Sequence, residues 1–220
     1  MGDLIEIANT LEHCNTDKNE KHNYLPIYEK TFEPLRDEEI IILEFGIKDA
    51  KSQFLWAEYF SRARIIAYDI NPKCVAIANA NSAKYGYGNR ISFYEHNAID
   101  VQLSERIPNN FIDIIIDDGS HLVGDIFRSY YMYWCKVKTG GYYYIEDFPI
   151  HHFQCPTLEF FKQIKNCVVH DIRKENWVAD RPLGRTVIEG DIVDIKGSGD
   201  FFNIFGFLDS ILIEVTKDEY

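Results

Sequence analysis

Short apolar runs alternate with segments of helical periodicity along the first two thirds of the chain. Four runs, which begin at Ile40, Arg64, Arg90 and Phe111, are as long as buried strands, and polar or acidic residues follow them. Between them, segments such as 52–60 and 73–84 place apolar residues on one helical face. This alternation predicts an α/β fold with a mostly parallel, Rossmann-like sheet and helices on both faces.

Both ends of the chain depart from this pattern. Segments 3–11 and 24–32 have helical spacing ahead of the first strand, so we expect residues 1–38 to form a short N-terminal helical extension that contributes to the site. No linker or repeat divides the chain, and a single domain over 1–220 is expected. The other expected elements are helices over 126–137 and 156–165 and strands over 168–172 and 211–215, with an antiparallel strand at the C-terminal end of the sheet.

Two of the apolar runs end in pairs of carboxylates. Asp117 and Asp118 follow the run from Phe111, and Glu146 and Asp147 follow a second run, which begins at Gly140. Parallel strands deliver such residues to the carboxyl edge of a sheet, where α/β proteins bind ligands. Carboxylates held so close together would repel each other unless a hard divalent cation lay among them. Helix caps or solvated loops are the alternative explanation for each pair.

The first two strands carry features of a nucleoside-binding unit. Gly46 follows the first strand and permits a sharp turn, while Asp69 ends the second and is placed to accept hydrogen bonds from ribose hydroxyls. Asn97, after the third strand, is expected beside an adenine. The loop 47–52 has no further glycine, so a pyrophosphate would lack its usual cradle. We therefore expect a cofactor without phosphates, namely S-adenosylmethionine.

Composition excludes several other classes of protein. The net charge of −12 argues against nucleic acid or an anionic membrane as the main partner. No apolar run reaches the ~20 residues that a transmembrane helix needs, and no signal peptide is recognised. We therefore expect a cytoplasmic protein. The five cysteines are scattered and have no CxxC spacing, so we expect reduced thiols. They are Cys14, Cys74, Cys135, Cys155 and Cys167.

Several segments, taken together, resemble the macrocin and mycinamicin sugar O-methyltransferase family, and the cephalosporin-hydroxylase-like proteins are similar. The match covers roughly residues 10–150. The segments are Asn15-Thr16-Asp17-Lys18, His22-Asn23-Tyr24, Tyr28-Glu29, Leu43-Glu44-Phe45-Gly46-Ile47, Asp69-Ile70, Asp117-Asp118-Gly119-Ser120-His121 and Ile145-Glu146-Asp147. Two departures stand out: the second glycine usual in the family is missing near Ala50, and 148–152 differs from relatives.

The resemblance implies a set of site residues. Asp118, Glu146 and Asp147 would hold Mg²⁺, and His121 would act as general base next to Asp118. Lys18 and Tyr24 would contact the methionine carboxylate of S-adenosylmethionine. The remaining residues expected on the cofactor side are Glu44, Gly46, Asp69, Asn97 and Asp117.

The resemblance also implies a reaction, the transfer of a methyl group to a sugar hydroxyl. The sugar could be nucleotide-linked, part of a surface polysaccharide, or part of a natural-product glycoside. Alternatives are hydroxylase-like metal chemistry, a phosphate-type acceptor and a non-catalytic binding protein. The expected partner is a small molecule rather than nucleic acid or membrane, and homo-oligomerisation is left open.

Some polar residues remain without an assigned role. His121 could be a packing residue at a helix N-terminus, and His151 and His152 could touch substrate or metal. Three arginines could bind a phosphate group or be solvated. They are Arg173, Arg181 and Arg185.

Overall fold

The computed structural model describes residues 2–19, 21–148, 156–171 and 211–218. Its helices are α1 (Leu4–Thr10), α2 (Leu25–Phe32), α3 (Lys51–Tyr59), α4 (Pro72–Tyr85), α5 (Val101–Glu105), α6 (Val123–Tyr133) and α7 (Pro156–Gln163). Its strands are β1 (Ile41–Phe45), β2 (Arg64–Asp69), β3 (Ile91–Glu95), β4 (Ile112–Asp117), β5 (Val137–Ile145), β6 (Cys167–Asp171) and β7 (Ile211–Thr216).

The seven strands form one sheet in the order β3-β2-β1-β4-β5-β7-β6. Strands β1 to β5 pair in parallel, whereas β7 runs antiparallel to both β5 and β6. This confirms the predicted Rossmann-like, mostly parallel sheet with an antiparallel C-terminal strand. The strand order reverses at β1, which has β2 on one side and β4 on the other, so a crevice opens beyond the carboxyl ends of these strands.

Two apolar layers cover the sheet, because neighbouring residues of a strand point to opposite faces. On one face, Ile42 and Ile114 pack with aromatic residues of the N-terminal segment and α3, among them Phe32 and Trp56. On the other face, Leu43 and its neighbours pack with α6 and α7. The N-terminal helices are therefore part of the core, and they reach the sheet beside the crevice.

Most predicted elements agree with the structure to within two residues, but the helix expected over 126–137 has wrong bounds, since α6 spans Val123–Tyr133. Helix α6 ends at Tyr133, and Val137 already pairs with Ile112 as the first residue of β5. Gly140, where the second apolar run was expected to begin, and Gly141 lie inside this strand, where the register with β4 shifts. Gly140 has φ of +78°, and a methyl group on Gly141 would lie 2.5 Å from the Asp113 carbonyl oxygen. The two glycines thus accommodate an irregularity of the strand.

The short helix α5 was not predicted. Its N-cap is Asp100, whose side chain accepts a hydrogen bond from the Gln102 amide. Among the described residues, no helix is both long enough and apolar enough to cross a membrane.

Candidate active site at the carboxyl edge of the sheet

A cavity of about 380 Å³ lies at the carboxyl ends of β1, β2 and β4. Its walls come from the loop after α1, the β1–α3 loop, the β4–α6 loop and the end of β5. The polar and charged lining residues are Thr16, Asp17, Lys18, Lys21, His22, Lys48, Asp49, Ser52, Asp69, Asp118, His121 and Asp147. The structure therefore gathers at one place residues that are more than 100 positions apart in sequence.

Gly46 allows the loops after β1 and β4 to touch. Its φ is +92°, and a methyl group in place of its hydrogen would lie 2.1 Å from the carbonyl oxygen of Asp118. The Asp118 amide in turn donates to the carbonyl oxygen of Phe45, at 3.0 Å. A side chain at position 46 would separate the two loops that form the floor of the cavity.

The rest of the β1–α3 loop follows a glycine-like path without glycine. Lys48 and Ala50 have φ of 50° and 65°, in the left-handed region. Ala50 lies near the position where the family resemblance led us to expect a second glycine, and its left-handed conformation costs roughly 1 kcal/mol in backbone strain. Residues other than glycine therefore form the left-handed backbone at positions 48 and 50.

Asp69 anchors this loop from the end of β2. Its Oδ2 accepts hydrogen bonds from the amides of Ile47, at 2.9 Å, and Lys48, at 3.3 Å, and its Oδ1 accepts one from Asn71 at 2.8 Å. The carboxylate also lines the cavity, as the nucleoside-binding hypothesis requires. Asn97 lies outside the cavity lining, is exposed, and accepts a hydrogen bond from the Ile99 amide.

Lys18 lies beneath the cavity among carboxylates. Its ammonium group is 1% exposed and lies 2.5 Å from Asp118 Oδ2, 2.7 Å from Glu146 Oε2 and 3.6 Å from Glu44 Oε1. Glu44 is itself buried, and accepts hydrogen bonds from Ser52 and Trp56, each at 2.8 Å. The structure thus places Lys18 on the predicted metal ligands, and Glu44 behind it rather than in the cavity wall.

Two tyrosines of the N-terminal segment hold the acids that follow β5. Tyr24 donates to Asp147 Oδ1 at 2.7 Å and accepts from the Asp147 amide at 3.2 Å. Tyr28 donates to Glu146 Oε1 at 2.5 Å. The sequence analysis gave Tyr28 no role in the site. Its position four residues after Tyr24 puts both on one helical face, and this spacing is the signal that could have identified it.

Two histidines lie beside the same acids. His121 Nε2 is 3.6 Å from Asp118 Oδ1, and His22 Nδ1 is 3.1 Å from Asp147 Oδ1. Burial and the charge of Lys21 lower the pKa of His22 to about 4, so its ring is neutral at pH 7. His121 and Asp147 both have left-handed backbone, with φ of 56° and 48°, a conformation that recurs at functional sites.

The carboxylates carry more negative charge than the protein's own cations offset. Burial, reinforced by the charge of Asp118, raises the pKa of Asp147 to about 6 and that of Glu146 well above its usual range. Burial disfavours the charge on Lys18, but Asp118, Glu146 and Glu44 outweigh it and raise the pKa of this ammonium. A further cation would favour the ionised form of both carboxyl groups.

The donor atoms fit a hard divalent cation. Asp118, His121 and Asp147 can each bring one ligand atom within 4.8 Å of the others. Glu146 is adjacent but buried, with its two oxygens bonded to Lys18 and Tyr28. Carboxylate oxygens are the ligands that Mg²⁺ prefers.

Asp117 is not brought to the cavity. Its buried carboxylate accepts hydrogen bonds from Ser129 of α6 and, at 3.3 Å, from Tyr143 of β5. Burial raises its pKa to about 6. This position does not fit the cofactor contact expected for Asp117, because consecutive residues at the end of β4 point in opposite directions. His151, His152 and the three arginines at 173, 181 and 185 lie outside the described residues.

No protein-family model matches the chain, but its sequence is similar to named O-methyltransferases. A tetracenomycin-C rhamnosyl 3'-O-methyltransferase of Streptomyces olivaceus is 30% identical over 156 residues, which are 66% of this chain and 37% of that protein. Mycinamicin VI 2''-O-methyltransferase of Micromonospora griseorubida is 28% identical over 135 residues, 57% of this chain and 31% of that protein. The chain spans about a third of the length of these relatives.

Solved structures agree with the sequence comparison. The MycE methyltransferase of mycinamycin biosynthesis, in complex with Mg and SAH, matches 66% of this chain and 37% of its own, with a TM-score of 0.55 and 26% identity. A SAM-dependent O-methyltransferase of Thermotoga maritima matches 100% of this chain and 72% of its own, with a TM-score of 0.55. At 15% identity, this match shows the fold alone. The sequence is therefore similar to macrocin- and mycinamicin-type sugar O-methyltransferases, and the structure has the class I methyltransferase fold.

Proposed function

We propose that the chain is a metal-dependent O-methyltransferase that moves the methyl group of S-adenosylmethionine to a sugar hydroxyl. One observation carries the proposal: the Gly46 and Asp69 pair of a nucleoside site and the carboxylates Asp118 and Asp147 line the same cavity. The names of the relatives support the reaction type, and the Mg and SAH in the MycE structures support the two cofactors.

The cofactor's adenosine end would lie over Gly46 and Asp69. Asp69 would accept hydrogen bonds from the ribose hydroxyls, while its bonds to the amides of Ile47 and Lys48 hold the loop in place. The amino-acid end would face the N-terminal loop, where Lys18 and Lys48 supply positive charge.

The metal would be held by Asp118, Glu146 and Asp147. A divalent cation there would orient neighbouring oxygens of the acceptor and make a bound hydroxyl more acidic. Tyr24 and Tyr28 would keep Asp147 and Glu146 oriented through the hydrogen bonds already described.

His121 would take the proton of the acceptor hydroxyl. Its ring is 37% exposed at the cavity wall, and Asp118 Oδ1 lies 3.6 Å from Nε2, close enough to help orient the imidazole. Methyl transfer forms the O–C bond as the S–C bond of the sulfonium breaks, so the enzyme must align donor and acceptor and remove one proton.

The acceptor is proposed as a hydroxyl with a neighbouring oxygen, as in a sugar, because two oxygens can then reach one metal ion. Mycinamicin VI, a glycosylated molecule, is bound in one MycE structure. Natural-product, nucleotide-linked and surface-polysaccharide sugars all meet this requirement, as would a phosphate-type acceptor. A cytoplasmic location and a small-molecule partner remain predictions.

The test is a transfer assay with labelled S-adenosylmethionine and Mg²⁺ against a panel of glycosides, nucleotide sugars and phosphorylated acceptors. Mass spectrometry and NMR would locate the methyl group, which we expect on oxygen. His121→Ala should lower turnover by ~10²–10⁴-fold, while His170→Ala, which removes a histidine paired with Glu214 away from the cavity, should leave it unchanged. Transfer to nitrogen or carbon, or full activity after exhaustive chelation, would refute the proposal. A strict need for iron and oxygen would instead support the hydroxylase alternative.

A further inference from the structure

Lys18 occupies the position that a cation shared by Asp118 and Glu146 would need. Its Nζ is 2.5 Å from Asp118 Oδ2 and 2.7 Å from Glu146 Oε2. Mg²⁺ binds carboxylate oxygens at about 2.0–2.1 Å. An ion bound to those same two oxygens would therefore overlap the ammonium group, and the two cations cannot share the site.

The charges favour replacement of the lysine by a divalent ion. Glu44, Asp118 and Glu146 lie within 3.6 Å of a single ammonium, and Asp147 adds a fourth carboxylate nearby. A doubly charged ion in place of Lys18 would offset more of this negative charge.

The cavity offers space for the Lys18 side chain when a metal ion displaces it. Although its ammonium is buried, the residue lines the cavity, as does Lys48, whose ammonium bonds to Asp17 at 2.7 Å. Rotation of the flexible lysine stem can bring the charge into the cavity without breaking the backbone bonds of the loop, such as that from the Tyr24 amide to the Lys18 carbonyl.

We propose that Lys18 and the divalent cation are alternative counter-ions of Asp118 and Glu146, and that metal binding moves the Lys18 ammonium into the cavity, where it binds a carboxylate-bearing ligand. The inference rests on the proposed function, because it takes Asp118 and Glu146 as metal ligands. It makes Lys18 the link between the two cofactor sites: each ligand would strengthen the binding of the other.

The first test measures Mn²⁺ affinity by electron paramagnetic resonance without other ligands. Lys18→Met should bind Mn²⁺ at least about tenfold more tightly than the wild type, because the competing ammonium is gone. Lys30→Met is the matched control: Lys30 is exposed on α2 of the same N-terminal segment, lies outside the cavity lining and forms no ion pair with these carboxylates in the described part of the chain. It should change the affinity about twofold or less.

The second test uses the wild-type protein, and so does not depend on the folding of a variant. Acetic anhydride labelling, read by mass spectrometry, should modify Lys18 about tenfold faster or more with saturating Mg²⁺. S-adenosylhomocysteine should then protect it again, while Lys48, whose side chain is 75% exposed, should react at a constant rate with and without Mg²⁺.

The outcomes separate the two proposals. No Mn²⁺ binding by the wild type would overturn the proposed metal-dependent function and the inference with it. Binding by the wild type with equal or weaker affinity in Lys18→Met would overturn the inference alone. If that variant does not fold, constant labelling of Lys18 with and without Mg²⁺ would overturn it.

Discussion

At the scale of single residues, the site depends on hydroxyl groups that sequence patterns hide. Tyr28 and Tyr133 are both fully buried aromatic residues, yet only Tyr28 has a defined polar task, the hydrogen bond to Glu146. The Tyr133 hydroxyl has no hydrogen-bond partner among the described residues. The same residue type therefore donates a hydrogen bond to a carboxylate at position 28 and contributes only packing at position 133.

Removal of the Tyr28 hydroxyl should weaken metal binding. In Tyr28→Phe, Glu146 loses a donor and can turn away from its position, and outer-shell changes of this kind cost about 10–100-fold in metal affinity. Mn²⁺ titration and turnover at varied Mg²⁺ would measure the effect. Tyr133→Phe is the control and should leave the metal affinity unchanged; equal losses in the two variants would show that the Tyr28 hydroxyl has no special role.

At the scale of elements, the cavity exists because two loops meet in front of the sheet. The turn after β1 and the turn after β4 are in contact at Gly46 and Asp118. Strands β1 and β4 are neighbours, but a side chain at position 46 would push their loops apart.

Gly46→Ala should therefore be far more harmful than an ordinary glycine substitution. Its methyl group would meet the Asp118 carbonyl at 2.1 Å, and we expect a loss of about 3 kcal/mol or more in the free energy of unfolding. Urea denaturation measures this loss, and S-adenosylhomocysteine affinity should fall as well.

Gly86 supplies the matched control. It also has a left-handed backbone, with φ of +83°, but a methyl group there meets no described atom within 4 Å. Gly86→Ala should cost only backbone strain, roughly 1 kcal/mol. Equal losses for the two variants would contradict the role assigned to the contact between the loops.

At the scale of the whole molecule, the N-terminal segment is built into the fold. Cys14 is fully buried, and Glu29 of α2 accepts hydrogen bonds from the Leu4 amide at 2.6 Å and from Tyr59 of α3 at 2.9 Å. The segment that carries Lys18 and Tyr24 is thereby fastened at several points to the helices over the sheet.

Cys14 should report whether this segment is docked. Burial, with a contribution from the charge of Glu58, raises the pKa of its thiol from 9.0 to about 12. Iodoacetamide at pH 8 should therefore modify exposed Cys135 and spare Cys14 until the protein unfolds. Because the folded state favours the protonated thiol, its contribution to stability should be constant below pH 9 and be lost as the pH rises toward 12. Rapid labelling of both cysteines would indicate a loosely held segment.

Metal should stabilise the molecule as a whole. An ion that binds only the folded protein adds about 2.7 kcal/mol at a concentration of 100 times its Kd. We expect Mg²⁺ to raise the unfolding temperature, EDTA to reverse the effect, and Asp118→Asn to abolish it. A rise of the same size in Asp118→Asn would place the ion elsewhere.

The sequence alone determined the α/β fold, the mostly parallel order of strands and the edge at which the acids meet. Apolar runs, glycine after β1 and acids at strand ends are local signals, and local signals carry the period of an element and the position of its end. Where they misled, as at 126–137, apolar residues with helical spacing continued into a strand, and only the pairing of Val137 with Ile112 decided the boundary.

Only the tertiary structure decided what each polar side chain faces. Asp117 and Asp118 are adjacent in sequence, yet Asp117 bonds to Ser129 of α6 and Asp118 lines the cavity, because consecutive residues at the end of β4 point in opposite directions. Lys18 lies 100 positions before Asp118 and 128 before Glu146, and no periodicity links them. Their contact follows from the packing of the N-terminal helices against the sheet, since the distance between two side chains depends on the path of the whole chain between them.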